Sequence, residues 1–324
     1  MNQLNYLKMS KCLFCYQALK DDEIDFHPKC SKKIFDTVEA PLLNYTLDEM
    51  ETLAKEIIET SISVPGVQPK LSLGFIKEKL ADGTKGRLTV LETLGGQFIL
   101  KPQNKTFPEM PENEHLTMKL AELLRIQTVV SSLIRLKSGE LSYITKRLDR
   151  KTKGKKIHML DMFQITEAFD KYRSSVEKVG KAVIDHSSNT LLDVLRLYEV
   201  IIFSYIIGNN DMHLKNFSLI LKDEKWALAP AYDLLNVQLH LPEDKEETAL
   251  TIGGKKSRLT KSDFVILGTK LGLSEKQIEN VFKRFLKAEK KMLLLIEQSF
   301  LSDANKINYK DLFIERIRLV SGLN

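Results

Sequence analysis

Apolar residues recur along this chain with two periods, and the balance between them changes about half way. Leu47, Met50, Leu53, Ala54, Ile57 and Ile58 fall on one side of a 3.6-residue turn, which predicts an amphipathic helix over Leu47 to Thr60. Leu71-Ser72-Leu73-Gly74-Phe75 alternates with period two and predicts a strand. Leu88 to Leu91 and Gln97 to Lys101 are further strand segments, with Gly95-Gly96 as the turn between them. Helical spacing returns over Glu112 to Arg125, whose stripe is Leu116, Leu120, Leu123 and Leu124. Thr128 to Arg135 and Leu141 to Arg147 predict two more strands around Lys137-Ser138-Gly139. Ala40 to Tyr45 is read as a linker.

Helices dominate the remainder. Leu191 to Ile207 is apolar on nearly every face and predicts a buried helix. Phe217 to Leu221 and Trp226 to Ala229 predict a hairpin around Lys222-Asp223-Glu224-Lys225, and Pro242 to Thr248 a charged surface loop. Ser262 to Leu271, Glu275 to Phe300 and Tyr309 to Val320 are helical, with Ser262 and Ser274 as N-caps. A strand-rich half before a helix-rich half predicts an α+β plan of two lobes with a cleft between them.

Composition narrows the class. The 324 residues are 43% hydrophobic and 28% charged, as in soluble globular proteins. No apolar run approaches the ~20 residues of a membrane helix. The opening Met1-Asn2-Gln3-Leu4-Asn5-Tyr6 has no secretory pattern, so no membrane association and a cytoplasmic location are expected. A net charge of +6 suits anionic ligands such as ATP and is too mild to argue for nucleic acid.

The three cysteines lie in the first thirty residues, and with His27 they spell C-x2-C-x11-H-x2-C. Cys12, Cys15, His27 and Cys30 are therefore candidate ligands of a closed, structural Cys3His zinc site. Three ordinary free cysteines are the alternative.

The candidate chemistry centres on Gly208-Asn209-Asn210-Asp211-Met212-His213-Leu214-Lys215-Asn216, then Ala231-Tyr232-Asp233. This is the polar set that phosphoryl transfer from ATP requires: one Asp at the acceptor hydroxyl, and an Asn and an Asp as oxygen ligands of magnesium. Asp211 takes the first role, Asn216 and Asp233 the second. A D-x4-N spacing alone is also an ordinary polar turn. His213 would contact phosphate or position Asp211. Lys101, ending an apolar strand, would place a point charge on the phosphates, unless it is simply a solvated strand end. Glu114 is its candidate ion-pair partner, with Glu112 and Glu122 competing. The loop Ser61 to Lys70 would cradle phosphates with backbone N–H groups, or merely connect a helix to a strand. Lys70 would add charge there. The expected organisation is a zinc-binding segment at 1–40, an N-lobe with the phosphate loop and ATP lysine at 41–150, and a mainly helical C-lobe at 151–324.

Six segments together, over residues 47 to about 260, resemble the HipA family of bacterial serine/threonine kinase toxins. They are Ser61 to Ser72, Phe98-Ile99-Leu100-Lys101-Pro102, Asn113-Glu114-His115, Ile144 to Arg150, Gly208 to Ser218, and Leu228 to Asp233. The resemblance implies a fold related to phosphatidylinositol and protein kinases that binds ATP and Mg2+. It implies that Ser63, Val64, Gly66, Gln68 and Lys70 cover the phosphates, that Lys101 binds them, and that Lys146, Arg147 and Leu148 lie in the hinge beside adenine. Asp211 would be the catalytic base. Ser61 and Ser63 match the two-serine loop of the compact HipT-like branch, in which loop autophosphorylation silences the kinase. Family substrates include aminoacyl-tRNA synthetases. The extra N-terminal subdomain of full-length HipA proteins does not precede Leu47; the cysteine segment stands there instead. The resemblance thus implies a HipS-like small protein and a HipB-like DNA-binding antitoxin as partners, with DNA reached only through the antitoxin. A nucleotide-binding adaptor and a small-molecule or lipid kinase are the alternatives.

Overall fold

Five antiparallel strands form the larger sheet. They are β1 (Leu71–Leu80), β2 (Gly83–Val90), β3 (Phe98–Lys101), β4 (Ser131–Arg135) and β5 (Leu141–Lys146), in the order β2-β1-β3-β5-β4. The computed structural model describes residues 10–60, 70–80, 83–90, 96–150 and 155–322. The chain divides into two compact units. One holds the residues up to Glu112 with Val130–Arg147, the other Asn113–Val129 with Leu148 onward.

The strand positions follow the alternation, but the connection differs from expectation. β2 and β3 do not pair; both flank β1. Gly96 therefore does not turn a hairpin. It lies so close to β1 that an added Cβ would stand 2.4 Å from the Leu73 carbonyl oxygen.

The first unit begins with the cysteine segment, which carries helix α1 (Pro28–Phe35), and continues to α2 (Leu47–Thr60). The segment is apolar inside: Leu13, Tyr16, Phe26, Ile34 and Phe35 are all buried. Phe35 meets Phe98 of β3 at 5.9 Å between ring centroids. The Leu13 carbonyl accepts from Leu133 N–H on the outer side of β4. Residues 40–45 are not a solvated linker. Leu43 is buried, the Leu42 carbonyl accepts from Leu88 N–H on β2, and Tyr45 Oη lies 3.1 Å from Thr89 Oγ1.

The second unit is built around α6 (Thr190–Ile206), buried on nearly every side as its all-round apolarity requires. Its other elements include α3 (Met110–Leu123), whose first turn belongs to the first unit, α4 (Met162–Ile165) and α5 (Val176–His186). The hairpin β7 (Ser218–Lys222) and β8 (Lys225–Leu228) forms as expected, and β6 (Met159–Asp161) joins it as a third strand. Then come α7 (Lys261–Lys270), α8 (Glu275–Gln298) and α9 (Asp303–Ser321). Ser274 caps α8 as expected, in a reciprocal box with Gln277. Ser262 does not cap α7; Thr260 does, in a box with Asp263. α9 starts at Asp303 with Ser302 as its N-cap, nearly two turns before the apolar run reveals it. Among the described residues, no helix is long and apolar enough to cross a membrane.

Candidate active site

α6 ends at Ile206, and the chain turns sharply at Gly208, where φ is +74°. A Cβ there would stand 2.4 Å from Leu312 Cδ2 and 2.9 Å from Asn236 Oδ1, so the turn requires glycine. Asn210 anchors the following loop, its amide donating to Asp244 Oδ2 and to the Glu246 carbonyl. Asn209 Oδ1 accepts from Asp211 N–H at 3.3 Å. Asp211 then stands half-buried, and a short 3-10 turn, Leu214–Asn216, brings Asn216 back to it. Asn216 Nδ2 donates to the Asp211 carbonyl at 2.8 Å. That bond orients the amide and leaves the Asn216 side-chain oxygen as a metal-type donor.

Asp233 follows Tyr232, whose hydroxyl contacts Ser218 Oγ and donates to the Lys215 carbonyl. Asp233 has φ of +59°, a left-handed conformation that Asp tolerates better than most side chains. The segment just after it is pinned by a reciprocal amide pair. Asn113 Nδ2 donates to the Asn236 carbonyl at 2.8 Å, and Asn236 N–H donates to Asn113 Oδ1 at 2.9 Å. Asn113 thus has a structural task in this unit.

Two residues that sequence reasoning missed complete the group. Tyr172 donates its hydroxyl to Asp211 Oδ1 at 2.9 Å, and Lys171 Nζ lies 3.0 Å from His213 Nε2. The Tyr172 ring meets the His213 ring edge-on at 5.1 Å, and Lys171 stands 4.7 Å over the Tyr172 ring. An ammonium can only donate, so His213 Nε2 accepts and its proton sits on Nδ1. That Nδ1 is buried, with no hydrogen-bond partner among the described residues. Burial holds the imidazole below the usual histidine range; Asp211 and Asp233 oppose this, and Lys171 adds to it. Burial, then the Asp211 charge and hydrogen bond, push the Tyr172 phenol upward, so it stays a donor. A lysine and a tyrosine side by side in a polar loop are the signal that was available.

Lys101 belongs to the first unit and is not a solvated strand end. It is 4% exposed, with Nζ 5.5 Å from the centre of the Tyr143 ring. Glu112 and Glu122 have other company: Gln103 Nε2 donates to both oxygens of Glu112, and Lys119 pairs with Glu122. Glu114 is buried in the second unit. Lys146 pairs with Asp36 at 2.9 Å, and Arg147 N–H donates to the Gln97 carbonyl. Leu148 opens the second unit's longer segment. Lys70 is exposed at the foot of β1; Ser61, Ser63, Val64, Gly66 and Gln68 lie outside the described residues.

The ligand atoms of Cys12, Cys15, His27 and Cys30 lie within 4.8 Å of one another. No two of these cysteines are joined by a disulfide. The cluster is a donor set that could bind zinc.

The family model of the HipA-like C-terminal domain matches residues 62–292. A Haemophilus influenzae protein named "Putative kinase" is 27% identical over 314 residues, covering 88% of this chain and 89% of its own. "Putative kinase Y4dM" of Sinorhizobium fredii is 32% identical over 256 residues, or 71% of this chain, which spans only 60% of that protein. Among solved structures, HipA in the Shewanella oneidensis MR-1 complex of HipA, HipB and operator DNA aligns with a TM-score of 0.66 at 18% identity. That match covers 85% of this chain and 72% of the other. The Helicobacter pylori proinflammatory kinase CtkA aligns at 0.53 and 12% identity, over 78% of this chain and 94% of its own. The α+β fold is that of HipA and its kinase-like neighbours.

Proposed function

Because the chain belongs to the family of HipA-like C-terminal domains, we propose that it is an ATP-dependent serine/threonine kinase and the toxin of a toxin–antitoxin system. The observation that carries the reading is the group around Asp211. Tyr172 holds one carboxylate oxygen, Asn216 is tied to the Asp211 carbonyl, and the Asp211 and Asp233 charges both act on His213.

In this reading Asp211 accepts a hydrogen bond from the acceptor hydroxyl through the oxygen that Tyr172 leaves open, and takes its proton as the hydroxyl oxygen bonds to the γ-phosphorus of ATP. The bond between that phosphorus and the ADP oxygen breaks. Asn216 and Asp233 offer the oxygen donors that suit Mg2+, and would hold it. When bound, the ion would neutralise phosphate charge. Neutral His213 would donate from Nδ1 without adding a charge. Lys101 would meet the phosphates, with the loop from Ser61 to Lys70 covering them and Lys146 to Leu148 beside adenine. Autophosphorylation on Ser61 or Ser63 would add ~1.5–2 negative charges to that loop and disfavour ATP. The protein substrate would be a translation component such as an aminoacyl-tRNA synthetase. A HipB-like DNA-binding antitoxin and a HipS-like small protein would be its partners; HipB and operator DNA accompany HipA in the Shewanella complex.

Labelled ATP incubated with the protein and a cell extract tests the reading. Label on serine or threonine of a protein, including Ser61 or Ser63, is expected. Label confined to lipid or small molecules would replace it with another kinase class.

A further inference from the structure

His27 Nε2 lies 3.0 Å from the Ala18 carbonyl oxygen, with Glu23 at 3.8 Å. A carbonyl only accepts, so Nε2 donates to it, and in the neutral imidazole Nδ1 then presents a lone pair. Nδ1 faces two sulfurs, Cys15 Sγ at 3.4 Å and Cys30 Sγ at 3.7 Å. Sulfur and nitrogen ligands of one tetrahedral zinc stand about 3.6 Å apart, given metal bonds of about 2.3 and 2.05 Å. A ligating histidine whose other nitrogen donates to a backbone carbonyl is the arrangement that fixes its tautomer for metal. Three thiolates and an imidazole in a tetrahedral set select zinc over the hard, oxygen-seeking cations.

The segment holding these ligands is tied to the larger sheet strand by strand. At β4, the edge strand, the Leu13 carbonyl accepts from Leu133 N–H and Ser132 Oγ, both at 3.3 Å. Asp25, two residues before His27, pairs with Arg135 at 2.9 Å. Phe35 and Asp36, at the end of the helix that carries Cys30, sit over Phe98 of β3 and Lys146 of β5. Phe98 and Lys146 are direct cross-strand partners, so this is one face of the sheet. Lys101, three residues on from Phe98, points to the other face.

We propose that Cys12, Cys15, His27 and Cys30 bind one zinc ion whose task is to clamp the β4–β5 edge of the sheet. The ion fixes the loop bearing Leu13, which meets β4, relative to the helix that ends at Phe35 and Asp36, which meet β3 and β5. The segment it holds also shields the backbone of an edge strand, through the Leu13 carbonyl. The zinc is thus part of the support of the unit that carries Lys101 and Lys146, not the staple of a separate appendage. Its consequence for ATP rests on the proposed kinase reading; its consequence for the strands does not.

The test uses the full chain without nucleotide. Elemental analysis should find about one zinc per chain, and Cys15→Ser should lose it. Hydrogen exchange in Ser131–Arg135 and Leu141–Lys146 should rise at least ten-fold when wild-type protein is stripped by a chelator, and fall back when zinc is returned. Purified protein without zinc, or zinc removal that leaves exchange in those strands unchanged, would overturn the clamp. ATP affinity measured on the same samples separates the two ideas. Affinity several-fold weaker without zinc ties the clamp to the nucleotide. Exchange that rises while ATP affinity stays constant overturns that tie and leaves the clamp standing.

Discussion

A phenol that donates to a carboxylate is a small device, but it decides which carboxylate oxygen faces outward. Tyr172 does this for Asp211. Hydrogen bonds to charged groups contribute about 1.5–3 kcal/mol. Tyr172→Phe is therefore expected to lower kcat by about ten-fold or more while leaving the KM for ATP unchanged, as steady-state kinetics would read. An unchanged kcat would remove Tyr172 from the positioning of Asp211. Asp211, Asn216 and Asp233 were legible as a spacing because they lie on one short stretch of chain. Tyr172 was not, because 39 residues separate it from Asp211 and only the fold brings them together. Asn113 was legible as part of a motif but not in its role, which is to pin Asn236.

Among the elements, the turn after α6 and the first turn of α3 carry the clearest consequences. Gly208→Ala meets a left-handed backbone and a side-chain clash at once, and should destabilise the protein by about 2–4 kcal/mol in denaturant titration. Wild-type stability would mean the turn can relax without cost. Glu112 is buried, and burial pushes its carboxyl up to about 7. A carboxyl raised in the folded state adds stability while it stays protonated, and loses that contribution as pH rises through 7. Glu112→Gln should thus match wild type near pH 4.5 and exceed it by about 3 kcal/mol at pH 8. Equal stability at both pH values would place that carboxyl in a wetter setting. The long periodic elements were readable from apolar spacing. The three-residue β6 is too short to show a period, and the apolar stripe of α5 includes Gly180, which reads as a breaker but lies buried inside the helix against Leu271. Hairpin partners were readable for β7 and β8, but the pairing of β3 was not, since β3 crosses to the far side of β1 and no local pattern encodes that.

At the scale of the whole molecule, the chain combines a HipA-like kinase fold with an N-terminal segment packed into its first unit. Its apolar residues proved more telling than its cysteines alone: Leu13, Phe26, Ile34 and Phe35 are buried with the sheet. The toxin reading predicts that expression of the chain alone arrests growth, that Asp233→Asn does not, and that a co-expressed HipS-like or HipB-like partner restores growth. Equal harmlessness of wild type and Asp233→Asn under strong expression would leave a kinase without a toxin role. The central claim is phosphoryl transfer through Asp211, and it is tested most directly with purified wild type and Asp211→Asn, labelled ATP and Mg2+, with calorimetry of ATP binding on both. The account predicts label transfer by wild type, a loss of about 10²–10⁴-fold in the variant, and similar ATP affinity in the two. Transfer by Asp211→Asn at the wild-type rate would contradict it.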